Sequence, residues 1–277
     1  MELFQWGTDP WGQEILIRLS WDLLTVTAVL ALAYVVVHAI WVRWWFRKPV
    51  PTTPDADQAA ANVPERVLRH TLAARLFHWL MAASMLVLLF TGFLPIVGIQ
   101  FNWITIHWIA GLILTASIVY HIIHASFWLD FWSIWIYPSE LKETWLRVQR
   151  FLGRASGSAP KHDKYPVDHK LYHLGIVLAG LGVIATGLVM MLRIDTPIWT
   201  RNPYFFSDQT WGLTYTLHGL AGVGLVGMVF VHIYFAARPE KWWITRSMIL
   251  GWIDRGHYVE HHDPKRWVVS KRETRKG

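Results

Sequence analysis

Five apolar stretches, each about twenty residues long, are the feature that most constrains this sequence. They cover residues 19–42, 76–97, 104–124, 171–192 and 213–237. A helix needs roughly 20 apolar residues to cross the hydrocarbon core of a bilayer. Tryptophans crowd the ends of these stretches, where an amphipathic ring can lie at the level of the lipid headgroups. The sequence therefore predicts an all-α integral membrane protein with five spans.

The basic residues are concentrated in the connections on one side of the predicted membrane. They follow the first span, fill the connection between the third and fourth spans, and follow the fifth, whereas residues 98–103 carry no charge and residues 193–211 carry two Arg and two Asp. By the positive-inside rule, the N-terminus lies outside and the C-terminus is cytoplasmic. The net charge of +7 therefore reflects topology and contact with membrane lipid, and we predict no nucleic-acid partner.

The chain has no cysteine. This excludes disulfides, thiolate metal sites, Fe–S clusters and covalently attached c-type haem within the chain, so any iron must be held by nitrogen. Acidic residues precede the first span and basic residues follow it, which is the reverse of the charge order in a signal peptide. We therefore expect the first span to be retained.

The chain is expected to have four parts. Residues 1–48 form an N-terminal transmembrane helix, and residues 49–65, rich in Pro, Ala and Asp, form a linker. Residues 66–239 form a four-helix unit, in which the Trp-rich, amphipathic segment 126–153 lies along the cytoplasmic interface. Residues 240–277 form a cytoplasmic basic tail.

The four-helix unit repeats itself. The second and fourth spans open with Arg-Leu-Phe-His and Lys-Leu-Tyr-His, and a Thr-Gly pair follows 13 residues after each histidine. In the third and fifth spans a histidine is followed by glycine four residues later and by a second histidine fourteen residues later. These offsets predict two helical hairpins related by a pseudo-twofold axis. The positions are His78, Thr91, His107, Gly111 and His121 in one hairpin, and His173, Thr186, His218, Gly222 and His232 in the other.

Fourteen residues of helix turn through about 1400° and rise about 21 Å, so two histidines at this spacing share a face near opposite membrane surfaces. By topology His107 and His218 lie toward the outside. The inner histidines, toward the cytoplasm, are His78, His121, His173 and His232.

Ionisable side chains inside a membrane usually face the bundle interior and mark a functional site. Neutral imidazole suits haem iron, and a low-spin haem needs two such ligands from facing helices. Gly111 and Gly222 leave room for a flat macrocycle on the same helix faces, although glycine also serves close helix packing.

Other readings stay open for these histidines. A single histidine can be a hydrogen-bonded packing residue, whereas zinc needs three or four ligands at one depth. No G-x-S-x-G or H-E-x-x-H motif is present. In the tail, His257, His261 and His262 can bind a metal, remain solvated or contact a partner.

Residues 66–239 resemble the formate dehydrogenase gamma-subunit family and related bacterial b561-type cytochromes. The resemblance implies bis-histidine b-type haems, an outer one on His107 and His218 and a cytoplasmic one on His78 and His232. It also implies a bacterial inner-membrane location, quinone as substrate, and Fe–S or catalytic oxidoreductase subunits as partners. It rests on residues 75–79, 91–92, 164–165, 170 and 186–187, and on His107 with Gly111 and His218 with His232.

Two departures from that family affect the expected sites. The segment leading into the third helix of the unit, where the family has amide side chains at its quinone site, carries Asp168 and His169 here. His121 and His173 are additional to the family motif, so three haems are an alternative to two.

We thus predict a four-helix haem-binding bundle with one added N-terminal helix, acting as the cytochrome b subunit of a respiratory oxidoreductase complex. A stand-alone quinol:acceptor oxidoreductase of the b561 type is one alternative. A haem-free proton-coupled transporter and a purely structural anchor are others.

Overall fold

The computed structural model describes residues 3–45, 63–129, 131–151, 154 and 161–269. Within these residues, five helices are long and apolar enough to cross a membrane, which confirms the predicted number of spans. They cover Trp21–Trp44, Leu72–Val97, Trp103–Trp128, Val167–Arg193 and Asp208–Ala237. The predicted linker, residues 49–65, lies almost wholly outside the described residues, as do the last residues of the basic tail.

The described residues are mostly helical, as predicted. The helices are α1 (Trp21–Trp45), α2 (Leu72–Phe93), α3 (Trp103–Trp128), α4 (Pro138–Phe151), α5 (Val167–Met190), α6 (Asp208–Ala237), α7 (Trp242–Leu250) and α8 (Arg255–His261). Short 3-10 helices cover Leu94–Val97, Phe131–Ile134, Met191–Arg193 and Pro239–Lys241. The strands are β1 (Phe4–Thr8), β2 (Glu14–Leu19), β3 (Arg66–Leu68) and β4 (Trp252–Asp254).

The turn between α2 and α3 is set by local sequence. Proline cannot donate a backbone hydrogen bond, and Pro95 lies at the start of the 3-10 helix that follows α2. Gly98 ends this helix with φ of 91°, a left-handed conformation that favours glycine. The chain then enters α3 at Trp103.

The chain divides into two compact units. The first consists of Met1–Arg47, Leu80–Val119 and Gly175–Tyr234. Its core is formed by Met85 of α2, Leu114 of α3 and Leu225 of α6, with partly buried side chains of α5 packed against them. Four helices of the predicted repeat thus share one apolar core in this unit.

In the first unit, α1 packs against α6 at a glycine. A Cβ atom built on Gly227 would lie 3.1 Å from Cγ2 of Thr27, so the two helices approach closely there. Further along, Nδ1 of His38 lies 2.9 Å from the hydroxyl of Tyr234. The added N-terminal helix is therefore a specific part of this unit.

Strands β1 and β2 form an antiparallel hairpin in the first unit that the sequence analysis did not predict. A side-chain oxygen of Asp9 accepts hydrogen bonds from the backbone N–H groups of Trp11 and Gln13 and closes the turn. The backbone carbonyl of Leu16 in β2 occupies the space where a side chain of Gly212 would lie, so the hairpin rests directly on α6. Asp-Pro followed by Gly12 was the local signal for this turn.

The second unit consists of Lys48–Trp79, Tyr120–Leu174 and Phe235–Gly277. Strands β3 and β4 pair antiparallel, with Val67 opposite Ile253. These two residues form a buried core with Tyr258, Val259 and Trp267. The described part of the predicted basic tail is therefore folded into helices, a strand and a core.

Helix α4 lies within the segment that the sequence predicted to be amphipathic. Its apolar side chains Leu141, Trp145 and Val148 share one face and are exposed. On another face, Glu140 is buried and accepts a hydrogen bond from Lys170 of α5 over 2.7 Å. An exposed apolar face beside a polar buried one is the pattern expected of a helix lying on a membrane surface.

Candidate functional site: a paired histidine centre

His107 of α3 and His218 of α6 face each other in the first unit. Their ring centroids are 6.2 Å apart, with an angle of 65° between the ring planes. With metal–imidazole bonds of about 2 Å on each side of one ion, the centres of two axial ligand rings lie about 6 Å apart. The separation of the two rings therefore fits two axial ligands of one iron.

A threonine from the neighbouring helix holds each of these histidines. The hydroxyl oxygen of Thr91 lies 2.8 Å from Nδ1 of His107, and that of Thr186 lies 2.9 Å from Nδ1 of His218. Both threonines belong to the repeated Thr-Gly pairs, and both histidines belong to the repeated His-x-x-x-Gly motifs. The two hairpins of the repeat thus make the same contact, which the sequence analysis did not predict.

These threonines also fix the tautomer of the histidines. The Thr91 hydroxyl donates to the carbonyl of Val87 at 2.7 Å, and the Thr186 hydroxyl donates to the carbonyl of Gly182 at 2.6 Å. Because a hydroxyl has a single proton, each oxygen must accept from Nδ1–H of its histidine. Nε2 then carries a lone pair, the form in which a neutral imidazole binds a metal.

The glycines of the Thr-Gly pairs allow this close approach. A Cβ atom on Gly187 would lie 3.3 Å from Cε1 of His218, and one on Gly92 would lie 3.7 Å from Cε1 of His107. A side chain at Gly187 would therefore press on the ring, whereas one at Gly92 would reach ordinary contact distance.

The glycines predicted to leave room for a macrocycle would accept a Cβ atom at ordinary contact distance. A Cβ atom on Gly111 would meet nothing closer than Cδ2 of Leu88 at 3.9 Å, and one on Gly222 nothing closer than Cζ of Phe93 at 4.0 Å. Protein packing therefore does not by itself require glycine at these two positions, which, together with two imidazoles that present Nε2, is compatible with a flat macrocycle between α3 and α6.

The other predicted haem ligands are distributed over both units. His232 lies near the end of α6 in the first unit and is exposed, whereas His78 lies in α2 in the second unit. The pairing of these two residues stays a prediction. In the second unit, His121 and His173 are close enough to interact electrostatically. The ring of His121 also stacks on Phe77, with centroids 4.1 Å apart and an angle of 5°.

The predicted quinone residues lie in the first turn of α5. Asp168 is exposed and His169 is partly buried. Their neighbour Lys170 is buried, with its Nζ atom donating to Glu140 and, over 3.1 Å, to the carbonyl of Trp135. This ion pair anchors the start of α5, so the exposed side chain of Asp168 is attached to a fixed helix end.

Sequence reasoning missed a buried cationic cluster in the second unit. Arg69 is 3% exposed and donates from Nη1 to Nε2 of His262 at 3.1 Å and from Nη2 to the carbonyl of Lys164 at 3.2 Å. Burial lowers the pKa of Arg69 to about 10, which leaves it charged at neutral pH. Its guanidinium lies over the rings of Tyr165, Trp243 and Trp267. Only the aromatic composition of these segments hinted at the cluster.

Apolar spanning helices that enclose paired, hydrogen-bonded imidazoles are the arrangement expected of a membrane cytochrome b. The sequence model of the prokaryotic cytochrome b561 family matches residues 69–251. The chain therefore belongs to the prokaryotic cytochrome b561 family, as the resemblance noted above suggested. The match begins after α1, so the N-terminal hairpin and first span lie outside the shared region.

Two relatives carry more specific names. The chain is 24% identical over 230 residues to the formate dehydrogenase cytochrome b556 subunit of Haemophilus influenzae, covering 75% of this chain and 86% of the relative. It is 26% identical over 219 residues to the formate dehydrogenase cytochrome b556(fdo) subunit of Escherichia coli K12, covering 76% of this chain and 95% of the relative. The family and the five spans identify the chain as a multi-pass bacterial membrane protein. Together with the relatives, they identify it as a cytochrome b of electron transport.

Proposed function

We propose that this chain is the cytochrome b subunit of a respiratory oxidoreductase complex, and that it passes electrons between a partner redox subunit and the quinone pool through two bis-histidine b-type haems. The observation that carries this proposal is the matched pair of Thr–His hydrogen bonds around His107 and His218. Both bonds lie within the segment that the family shares.

A b-type haem supplies reversible one-electron carriage when it is bound. The residues of this chain provide the environment for it. His107 and His218 would hold the outer haem through Nε2, and Thr91 and Thr186 keep their rings oriented and neutral. For the cytoplasmic haem, we propose His78 and His232 as ligands.

The relatives' names support the partners in this proposal. Both relatives are cytochrome subunits of formate dehydrogenase, and the chain covers most of the length of each. We therefore propose that catalytic and Fe–S subunits dock on this chain, and that formate is the first substrate to test on the intact complex. Purification without such subunits would instead favour a stand-alone quinol:acceptor oxidoreductase.

The proposed orientation rests on charge. Basic residues cluster at one end of the spans, so we propose that the chain lies in the inner membrane with its N-terminus outside and its C-terminus in the cytoplasm. His107 and His218 then lie near the outer surface. Quinone binds on the cytoplasmic side, where His169 hydrogen-bonds a quinone oxygen and Asp168 transfers protons.

The first test is the haem content of the purified chain, measured as a pyridine haemochrome together with a dithionite-reduced spectrum. We expect about two haems b per chain. His107→Ala and His218→Ala should each remove the same single haem, while His124→Ala, which alters a histidine of α3 that is stacked on Tyr120 and Trp128, should retain both.

The outcomes separate the alternatives. Three haems, with one lost in His121→Ala and His173→Ala, would replace the two-haem assignment. A colourless protein would overturn the cytochrome proposal and favour the proton-coupled transporter. Unchanged haem content and quinone activity in both His107→Ala and His218→Ala would favour a structural anchor.

The quinone site is tested separately by turnover of menaquinol or ubiquinol in the haem-loaded protein, with the electrons passing to the haems and from them to an added one-electron acceptor. Asp168→Asn should slow turnover more than it weakens quinone binding, because the carboxylate transfers protons. His169→Ala should weaken binding, because a hydrogen bond to the quinone is lost. Wild-type turnover in both variants would exclude this site and leave the haem assignment untouched.

A further inference from the structure

Helix α8 presents a compact set of metal-ligating side chains outside the haem centre. Each of His257, Glu260 and His261 offers a ligand atom, and these atoms all lie within 4.8 Å of one another. The spacing of three and four residues places them on one face of the helix. The set therefore arises from one short, continuous segment.

The opposite face of α8 fixes the helix in place. Tyr258 and Val259 are 1% and 5% exposed, and they pack with Val67, Ile253 and Trp267. The hydroxyl of Tyr258 donates a hydrogen bond to the backbone carbonyl of Trp267. Because α8 is held by this core, its ligand-bearing face has a defined direction.

Stacking on Trp243 of α7 orients both imidazoles. The ring of His257 lies 5.0 Å from that of Trp243 at 16°, and the ring of His261 lies 5.1 Å from it at 3°. The side chains of His261 and Glu260 remain 40% and 51% exposed, so an ion can reach them from solvent. Oriented rings and an open side suit a binding site that forms with little rearrangement.

The remaining histidine of this segment, His262, is hydrogen-bonded to residues outside the ligand set. His262 is 2% exposed; its Nε2 accepts from Arg69 and its Nδ1 donates to the carbonyl of Asp163 at 2.8 Å. Both ring nitrogens are therefore engaged, which separates His262 from the ligand set.

We propose that His257, Glu260 and His261 bind one transition-metal dication of the zinc class. Two imidazoles and one carboxylate are a donor set that such ions prefer over Mg²⁺ or Ca²⁺, and three protein ligands leave a coordination position for water. The order His-x-x-Glu-His also occurs in a class of zinc peptidases, but here we assign binding alone.

Charge sets the expected strength of binding. Glu260 offsets part of the cation's charge, whereas Lys241 and Arg69 are near enough to His261 to act on it electrostatically and oppose a cation. We therefore expect micromolar affinity for Zn²⁺, weaker than that of a closed structural site with four ligands.

The test is equilibrium dialysis of the haem-loaded protein against Zn²⁺, followed by metal analysis, with a purification tag that contains no histidine. We expect about one Zn²⁺ per chain, and at least about tenfold weaker binding in His257→Ala, His261→Ala and Glu260→Gln, whereas His124→Ala should bind as the wild type does. The zinc X-ray absorption spectrum should show scattering from two imidazoles in the wild type.

Circular dichroism and size-exclusion chromatography in detergent serve as the checks on folding, since neither requires a metal at this site. A folded wild-type protein that takes up no Zn²⁺ at micromolar concentrations would overturn the proposal. Unchanged uptake in a folded His257→Gln/His261→Gln double variant would do the same, because the ion would then lie elsewhere.

Discussion

The hydroxyl oxygen of Thr186 lies 2.9 Å from Nδ1 of His218. The same bond joins Thr91 to His107 at 2.8 Å, although 32 residues separate the first pair and 16 the second. The segment that joins the threonine to the histidine is therefore longer in one hairpin than in the other, whereas the Thr–His contact is the same in both. A contact repeated in this way is expected where both hairpins supply a ligand to one centre.

Removing the threonine hydroxyls should weaken the outer haem site. Thr186→Val has nearly the same shape but removes the hydroxyl that accepts from Nδ1–H of His218, and loss of such a partner typically weakens metal binding by about 10–100-fold. We expect lower haem occupancy and a shifted midpoint potential, measured by haemochrome assay and redox titration. Thr186→Ser should restore both, and a Thr186→Val protein with wild-type occupancy and potential would contradict the assigned role.

Alanine at the two Thr-Gly glycines should have unequal effects. In Gly187→Ala the new Cβ would lie 3.3 Å from Cε1 of His218, tighter than ordinary contact, whereas in Gly92→Ala the distance to His107 would be 3.7 Å. The low-spin haem signal in electron paramagnetic resonance should therefore change in Gly187→Ala and remain close to wild type in Gly92→Ala. Equal spectra for the two variants would show that ring position does not depend on these contacts.

Breaking the buried ion pair between Lys170 and Glu140 in the second unit should lower the stability of the protein. The side chains of Lys170 and Glu140 are 0% and 10% exposed, so Lys170→Met leaves a buried carboxylate unpaired at a cost of about 3–5 kcal/mol. We expect a clearly lower melting temperature in detergent, largely restored in Lys170→Met/Glu140→Leu.

The matched control for this prediction is the more exposed pair of Arg266 and Glu143, whose side chains are 37% and 19% exposed. Arg266→Met should cost no more than about 1 kcal/mol because solvent screens such pairs. Similar losses in Lys170→Met and Arg266→Met would mean that burial does not set the strength of these pairs.

Acidification should loosen the C-terminal core. Burial is the main cause that lowers the pKa of His262 from 6.5 to about 3, so its neutral form stabilises the fold above pH 6.5 and this contribution is lost as the pH falls toward 3. Hydrogen exchange of residues 255–269, corrected for the intrinsic pH effect, should therefore speed up between pH 7 and pH 5.

His262→Gln keeps a hydrogen-bonding side chain that does not titrate, and it should flatten part of this pH dependence. Part of the pH dependence should remain, because burial also lowers the pKa of His70, in the same unit, well below its usual value. Identical pH profiles for the wild type and His262→Gln would argue that another group controls this core.

The spans could be predicted from the sequence, because helix length and apolar character are local properties. The shared faces of His107 with His121 and of His218 with His232 stay predictions from helix geometry. The N-terminal hairpin was missed, because its docking on Gly212 depends on residues nearly two hundred positions apart.

What the tertiary structure decided is which polar groups meet. The Thr-Gly pairs carried weak information as sequence, yet Thr91 and Thr186 select the metal-binding tautomer of their histidines. In the tail, three histidines looked alike, but contacts with Arg69 and Asp163 engage His262 and leave His257 and His261 beside Glu260. Such partners come from distant segments brought together by packing, and a hydrogen bond depends on distances and angles that residue spacing within a single helix does not fix.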